Sequence, residues 1–317
     1  EAFSDCHSLT QIAIPSSVTS IGSYSFANLM FLKEIAFLSS VKSIKSNAFS
    51  SCRSLTKITI SSSVIRIKEN AFSNCRSLKE ITIPSSVTSI GCYAFSGCSS
   101  LQTIKIPSSV KVLECRVLSN CPSLLQVIIP NSVESIGVYS FSSCSSLQEI
   151  IIPSSVKSIQ SNAFSYCYSL TKIIIPSSVT SIEDYAFSDC RSLTKIRIPS
   201  SVQHIGLNPF AFCINLEEID VISDNKNYVS VNNVLFSIDL STLICYPSKI
   251  RATTYTVPSS VQSIGCYAFS NCSSLEQIEI PASVTVIYSN SFENCSSSLK
   301  SFVDKQIKGR CIKIINS

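Results

Sequence analysis

The sequence has 317 residues, of which 45% are hydrophobic and only 14% are charged, and its formal net charge is +5 at pH 7. An average globular protein has about 25% charged residues, and the small positive charge is scattered, so the composition gives little support to nucleic-acid binding. With two histidines and 20 acidic residues, metal and acid–base chemistry have few side chains available. No apolar run approaches the roughly 18 residues of a bilayer-spanning helix, which predicts no membrane insertion by this segment.

A 23-residue period runs along the chain. Its clearest column is aromatic, apart from Leu118, and contains Phe3, Phe26, Phe49, Phe72, Phe95, Phe141, Phe164, Phe187 and Phe210. A column of cysteines, with Leu29 as its exception, starts at Cys6, and a column of leucines starts at Leu9. The period breaks once, because Phe269 follows Phe210 by 59 residues, which is 36 more than one repeat. We therefore predict about 12 regular repeats and one atypical repeat.

Residues 78–98 give the clearest copy of the repeat. Residues 81–83 alternate with the period of a short strand that buries one face, and Pro84 must turn the chain because it cannot donate to a ladder. Val87 and Ile90 are three residues apart, and later apolar residues keep this spacing, which predicts single turns of 3₁₀- or α-helix on the return path. Where Asn begins this path, we expect it to cap the turn.

One repeat has nothing of its own against which to bury its apolar side chains, so stacked repeats must bury them as continuous columns. Strands of successive repeats then pair in parallel at about 4.8 Å. The side that carries Phe and Cys is bulkier than the strand side, so we expect the stack to curve with the strands inside. The predicted fold class is an α/β solenoid, a curved horseshoe with short parallel strands on its concave face.

The recurring motif resembles a known repeat: it is Leu-x-x-Ile-x-Ile-Pro-Ser-Ser-Val-x-x-Ile-x-x-x-Ala-Phe-x-x-Cys. It is similar to the BspA-like leucine-rich repeat, also called the Treponema pallidum type, over essentially the whole chain, and its Ser- and Asn-rich form is closest to protist members. That family builds surface antigens and adhesins of anaerobic bacteria and parasitic protists. The resemblance thus implies a leucine-rich-repeat horseshoe, a cell-surface location and a protein partner, such as a host matrix or cell-surface protein.

We predict one solenoid over residues 1–317, with regular repeats at 1–221 and 255–303, an irregular insertion at 222–254, and a tail or cap at 304–317. In the insertion, β-rich runs on both sides of a polar turn predict a hairpin. Leu240, Leu243 and Cys245 copy the spacing of the first strand of a repeat, which indicates an atypical repeat. A protrusion that serves binding is the alternative.

Most of the 16 cysteines fall in the cysteine column. Because Leu29 shares that column, we interpret it as a small apolar position filled by buried, reduced thiols. Cys92 and Cys115 differ, since they share a position that holds polar residues elsewhere and therefore faces water. Adjacent repeats can bring them within bridging range. A disulfide between them is one hypothesis, and a pair of exposed thiols is the other.

Two columns of strand residues point away from the predicted core. In one of them, Ile128, Ile151 and Ile174 occupy three consecutive repeats where water-facing residues are expected. Basic residues surround them, namely Lys105, Lys172, Lys195 and Arg197. Exposed apolar patches with polar rims often mark protein interfaces, so we predict that these seven residues bind a partner. The alternative is that Ile is simply a good strand former at a partly covered position.

Catalytic chemistry finds no support in the sequence. His7 and His204 lie in distant repeats, no Cys-x-x-Cys pair occurs, and glycines are sparse, so neither a nucleophile–base pair nor a zinc site nor any cofactor site is predicted. The sequence favours a non-enzymatic module that binds a protein or glycan on its concave face, and the resemblance to the BspA-like family implies that it acts at the cell surface. The alternative is an intracellular structural or scaffold protein within a larger assembly, because unpaired cysteines suit a reducing compartment.

Overall fold

A computed structural model describes residues 2–37 and 40–316. The described chain is a β-solenoid of about 13 turns with parallel strands and few helices, so the predicted repeat solenoid is confirmed. Each regular repeat contributes one strand to a first row, a two-residue strand to a second row, and a turn segment that leads to the next repeat.

In the regular repeats the odd-numbered strands form the first row and the even-numbered strands form the second row: β1 (Gln11–Ile14), β2 (Ser20–Ile21), β3 (Glu34–Phe37), β4 (Ser43–Ile44), β5 (Lys57–Thr59), β6 (Arg66–Ile67), β7 (Glu80–Ile81), β8 (Ser89–Ile90), β9 (Thr103–Lys105), β10 (Val112–Leu113), β11 (Gln126–Ile128), β12 (Ser135–Ile136), β13 (Glu149–Ile151), β14 (Ser158–Ile159), β15 (Lys172–Ile174), β16 (Ser181–Ile182), β17 (Lys195–Ile198), β18 (His204–Ile205) and β19 (Glu218–Val221). The remaining elements are β20 (Tyr228–Val231), β21 (Val234–Ser237), β22 (Thr242–Cys245), β23 (Thr254–Thr256), β24 (Ser263–Ile264), β25 (Gln277–Glu279), β26 (Val286–Tyr288), α1 (Ser297–Ile307) and β27 (Lys313–Ile315).

Parallel pairing in register joins each strand to its equivalent one repeat later. In the first row, Ile35 lies opposite Ile58, and in the second row Ile136 lies opposite Ile159. Both pairs are 23 residues apart, so the sequence period and the strand register are the same quantity. The inward isoleucines of the two rows belong to the same hydrophobic core and are almost fully buried.

The phenylalanine column is a file of parallel rings inside this core. Phe72 and Phe95 stack with ring centroids 5.5 Å apart, and Phe141 and Phe164 stack at 5.2 Å. Leu118, itself fully buried, takes the place between the two parts of the file. The predicted alignment of these residues in one column is confirmed.

The return path consists of a second-row strand followed by β-turns, so the predicted 3₁₀- or α-helical turns are wrong: Ile90 lies on β8, and the β-turns come after it. In most regular repeats two residues adopt positive φ, as Tyr93 (59°) and Gly97 (72°) do, and these left-handed residues interrupt any helical run. Alternate backbone N–H groups of this segment therefore bond outside it: those of Tyr93, Phe95 and Gly97 donate to carbonyls of the following repeat. Asn is frequent in this segment because it tolerates positive φ, as Asn47 does at 57°, and not because it caps a helix.

Side chains of the cysteine and serine columns tie each repeat to the one before it. The Cys98 thiol donates to the Phe72 carbonyl at 3.2 Å, and the Ser86 hydroxyl donates to the Val64 carbonyl at 2.7 Å. Equivalent bonds recur along both columns. The cysteine position is therefore more than a small apolar site, because its thiol satisfies a buried carbonyl.

The insertion adds a hairpin before a second-row strand. β20 and β21 pair antiparallel through Asn232 and Asn233, whose positive φ angles of 51° and 69° suit a two-residue hairpin turn. β21 is buried on both sides: Leu235 packs into the core before the insertion, and Val234 and Phe236 pack into the core after it.

β22 then pairs parallel with β24, which places Leu243 opposite Ile264. Leu243 is thus a second-row residue, and its predicted equivalence to the first strand of a repeat is wrong. The hairpin shifts the chain by one strand position, so the spacing of Leu240, Leu243 and Cys245 falls in the other row.

The repeat pattern is interrupted at α1, before the predicted tail at residue 304, and β27 then adds a last parallel strand to the second row beside β26. Cys295 and Leu299 are separated by one residue more than the equivalent pair in a regular repeat, and the hydroxyl of Ser296 accepts the Leu299 N–H as an N-cap. From α1, the Gln306 side chain accepts the Ile280 N–H at 2.9 Å and donates to the Ile278 carbonyl. This amide thereby takes the place of a further strand beside β25.

Candidate partner-binding surface

Ile128, Ile151 and Ile174, here called the isoleucine stripe, point outward from the first row. Their side chains are 49%, 72% and 60% exposed, whereas the residues before them on β11, β13 and β15 are buried. The period-two alternation of each strand produces this arrangement, because the inward residue enters the core and the next one must face solvent. The stripe lies on the row that is predicted to be concave.

Strand register brings the stripe and Lys105 into one line. Ile151 lies opposite Ile174 in the ladder of β13 and β15, and Ile128 lies opposite Lys105 in the ladder of β9 and β11. β11 and β13 are also in contact. The apolar surface is therefore continuous over three repeats, and Lys105 ends it on one side.

The opposite end of the stripe is charge-paired, which corrects the predicted basic rim. Lys195 Nζ lies 2.6 Å from Glu218 Oε2, and Arg197 Nε lies 3.0 Å from Asp220 Oδ2. The hydrogen bond that Lys195 donates to the Glu218 carboxylate raises the pKa of Lys195. The sequence held the signal for these partners, because each acidic residue follows its basic partner by one 23-residue period.

The flank of the stripe carries both charge signs. Lys172 lies opposite Glu149 in register, and Gln126 continues that column toward Lys105. The rim therefore consists of Lys105 at one end, a mixed flank beside the stripe, and two ion pairs at the other end. The predicted set of binding residues did not include Glu149, Glu218 and Asp220, although they belong to the same two outward-facing columns.

A shallow hollow of about 320 Å³ adjoins the stripe at the Lys105 end. Thr82, Thr103 and Gln126 line it together with Lys105 and Ile128. It forms because threonine side chains are short where the next repeats carry Lys and Ile. The step from threonine to isoleucine along one column was visible in the sequence, although the prediction did not use it.

Cys92 and Cys115 lie on consecutive repeats with Cα atoms 4.8 Å apart and sulfur atoms in bonding contact. Their position is next to a gap in the second row, whose ladders run from β2 to β8 and from β10 to β18.

In the cysteine column, Cys6 is exposed and Cys295 is half-buried, whereas the column cysteines between these two are buried. Burial raises the pKa of the Cys121 thiol to about 12, which keeps this thiol protonated and unreactive.

The two histidines lie on separate parts of the surface. His7 is exposed, and His204 forms a 3.5 Å contact with Glu183 on another part of the surface. Among residues 2–37 and 40–316, no three His, Cys, Asp or Glu side chains come together in a way that could hold a metal ion. The same residues include no helix with the length and apolarity needed to cross a membrane.

A stack of 23-residue units with two parallel strand rows and buried Leu, Ile and Phe columns defines a leucine-rich-repeat protein. The chain belongs to the BspA-type leucine-rich-repeat family, whose model matches in six copies over residues 1–125, 114–238 and 244–310. This repeat fold is typical of non-enzymatic binding modules, and leucine-rich repeats generally mediate protein interactions.

Two solved structures share the fold along nearly the entire chain. A leucine-rich-repeat protein from Bacteroides ovatus is 24% identical, with a TM-score of 0.65, and the match covers 97% of this chain and 92% of that one. A leucine-rich cell-surface protein from Faecalibacterium prausnitzii is also 24% identical, with a TM-score of 0.52 and coverage of 98% and 88%. No curated protein sequence matches the chain.

Proposed function

We propose that this chain is a non-enzymatic protein-binding module that contacts its partner through the isoleucine stripe. The observation that carries the proposal is the exposure of Ile151 and Ile174, at 72% and 60%, directly opposite each other on paired strands. Exposed apolar surface of this kind, with a polar rim, is typical of sites where proteins associate.

We further propose that the module acts at the cell surface, as an antigen or adhesin. The F. prausnitzii protein with this fold is described as a cell-surface protein. The contact between the Cys92 and Cys115 sulfur atoms suits an oxidising environment. The buried thiols do not favour the alternative of an intracellular scaffold, because burial raises their pKa and protects them in either compartment.

The binding surface is tested with the double variant Ile151→Asp/Ile174→Asp. Binding is measured to immobilised host matrix proteins and to intact host cells, and the fold is checked by far-UV circular dichroism. We expect the double variant to lose binding by about tenfold or more and to keep its fold. Ile65→Asp is the matched control, because Ile65 is also an exposed isoleucine, at 39%, but lies next to the second row. Equal binding by wild type and double variant would remove the stripe from the proposal.

The location is tested separately by surface biotinylation of the intact source cell. A surface antigen or adhesin is labelled before lysis, whereas a scaffold inside the cell is labelled only afterwards. Labelling only after lysis would favour the scaffold alternative.

A further inference from the structure

We propose that the isoleucine stripe receives one amphipathic α-helix of the partner protein, laid along the axis of the stack with its C-terminal end at Lys105. This inference rests on the proposed function and names the kind of partner surface. Two independent observations support it: the spacing of the stripe and the distribution of charge at its ends.

The spacing of the stripe matches a helix better than a strand. Equivalent residues of successive repeats lie about 4.8 Å apart, as the Cα atoms of Cys92 and Cys115 do, so Ile128 and Ile174 are separated by about 10 Å. On an α-helix, positions i and i+7 share a face and are separated by about 10.5 Å. On a strand, the first and third residues of one face are about 13 Å apart, which leaves a misfit of roughly 3 to 4 Å over the same stripe.

Charge sets the expected direction of the helix. Lys105 is exposed and, among the described residues, forms no ion pair, whereas Arg197 at the far end is neutralised by Asp220. The C-terminus of a helix carries a partial negative charge and attracts cations. An acidic last turn of the bound helix therefore belongs at Lys105 itself and not inside the adjoining 320 Å³ hollow, because the acidic Glu80 also lines that hollow.

A second copy of this chain fits the stripe less well. If two stripes pack face to face in the same direction, Lys105 meets Lys105. If they pack in opposite directions about Ile151, Lys105 meets Arg197, which is equally distant from the centre of the stripe. The first arrangement brings like charges together, which disfavours association. The second places Lys105 opposite an Arg197 that Asp220 already neutralises, so it offers Lys105 no net negative charge.

The test compares two fluorescent peptides of about 16 residues with identical composition. One places leucines at i, i+4, i+7 and i+11 with glutamates in its last turn, and the other places the leucines at alternate positions. Fluorescence anisotropy is measured with wild-type protein, Ile151→Asp and the Ile65→Asp control. We expect the helical pattern to bind about tenfold more tightly than the alternating one, Ile151→Asp to abolish this preference, and Ile65→Asp to preserve it.

Direction is tested with Lys105→Glu, which should weaken the helical peptide with C-terminal glutamates and spare a version with the glutamates moved to its first turn. Tighter binding of the alternating peptide, or no binding of either peptide, would overturn the helix assignment. The proposed function would survive that result if Ile151→Asp/Ile174→Asp still loses the matrix or cell partner. A dimer in sedimentation analysis that Ile151→Asp dissociates would assign the stripe to a second copy instead.

Discussion

Raising the pH above 9 is expected to unfold the solenoid through its buried thiols. Burial raises the pKa of Cys52, Cys121, Cys167 and Cys245 from 9.0 to about 12. Because the folded-state pKa is the higher one, the stability is fully present below pH 9 and is lost as the pH rises toward 12. At pH 10 each of these thiols lowers the free energy of unfolding by about 1.4 kcal/mol, so the four together lower it by about 6 kcal/mol. This loss is comparable with the total stability of a typical domain, about 5 to 15 kcal/mol.

The assay is urea unfolding at pH 7.5 and pH 10 in the presence of a reductant, followed by far-UV circular dichroism. We expect the free energy of unfolding to fall strongly at pH 10. In Cys121→Ala the fall should be smaller by about 1.4 kcal/mol, because one titrating thiol is gone. Cys6→Ala should leave the fall unchanged, since Cys6 is exposed. Equal stability of the wild-type protein at the two pH values would refute the reasoning.

Three further perturbations test the packing of the stack. Phe164→Ala removes a ring that stacks on both neighbouring rings, and it should lower the free energy of unfolding by about 3 to 5 kcal/mol. Phe164→Leu, which copies Leu118, should lower it clearly less. Equal losses for the two variants in urea unfolding would contradict the stacked column of rings. Gln306→Ala removes both hydrogen bonds beside β25 and should lower the free energy of unfolding by about 2 kcal/mol. An unchanged urea midpoint would show that this amide does not stabilise the end of the first row. Replacing Cys92 and Cys115 by Ser should lower the free energy of unfolding by about 3 kcal/mol without reductant, because the bridge closes a loop of 23 residues. With reductant the replacement should change nothing. Equal stability of variant and wild type under non-reducing conditions would mean that the bridge does not form.

The stacking of the repeats was predictable because one physical requirement repeats at a fixed interval. A repeat cannot bury Phe95, Leu101 and Ile104 by itself, so the 23-residue period had to become the strand register, and it did. The same arithmetic locates surface partners: adding one period to Lys195 gives Glu218, with which it pairs at 2.6 Å. Register thus made the ion pairs predictable, although the basic side chains alone suggested an unpaired rim.

The turn segments could not be predicted from apolar spacing. A separation of three residues, as between Phe95 and Cys98, fits a 3₁₀ turn and a β-turn equally well, and only the backbone conformation separates them. Residues at positive φ exclude the helical turn and produce β-turns, and these residues include Tyr93 and Tyr166 as well as Asn and Gly. Tyrosine is not a residue from which the left-handed conformation is expected. The bonds that hold it there run to the neighbouring repeat, outside the reach of local sequence.

The choice between a binding role and simple strand propensity for the isoleucine stripe can be argued from the rest of its column. Other repeats carry Ala13, Thr59 or Asp220 at that position and still pair in parallel with a neighbouring repeat. The column therefore does not need isoleucine to form strands. If strand propensity explained the isoleucines, the longest strand ladders would lie at the isoleucine repeats. However, β13 and β15, which carry Ile151 and Ile174, pair over three residues. The ladder of β17 and β19, which carry Arg197 and Asp220, is longer and extends over four residues.

These comparisons lead to a triple variant, Ile128→Thr/Ile151→Thr/Ile174→Thr, which gives the stripe the residue found at Thr59 and Thr82 in the same column. We expect its unfolding free energy in urea to stay within about 0.5 kcal/mol per site of the wild type, as for ordinary surface substitutions, while binding of the partner is lost. Threonine keeps the β-branched shape and the strand preference of isoleucine but removes apolar surface. A loss of several kcal/mol with binding retained would assign the three isoleucines to the fold and leave the partner to another surface.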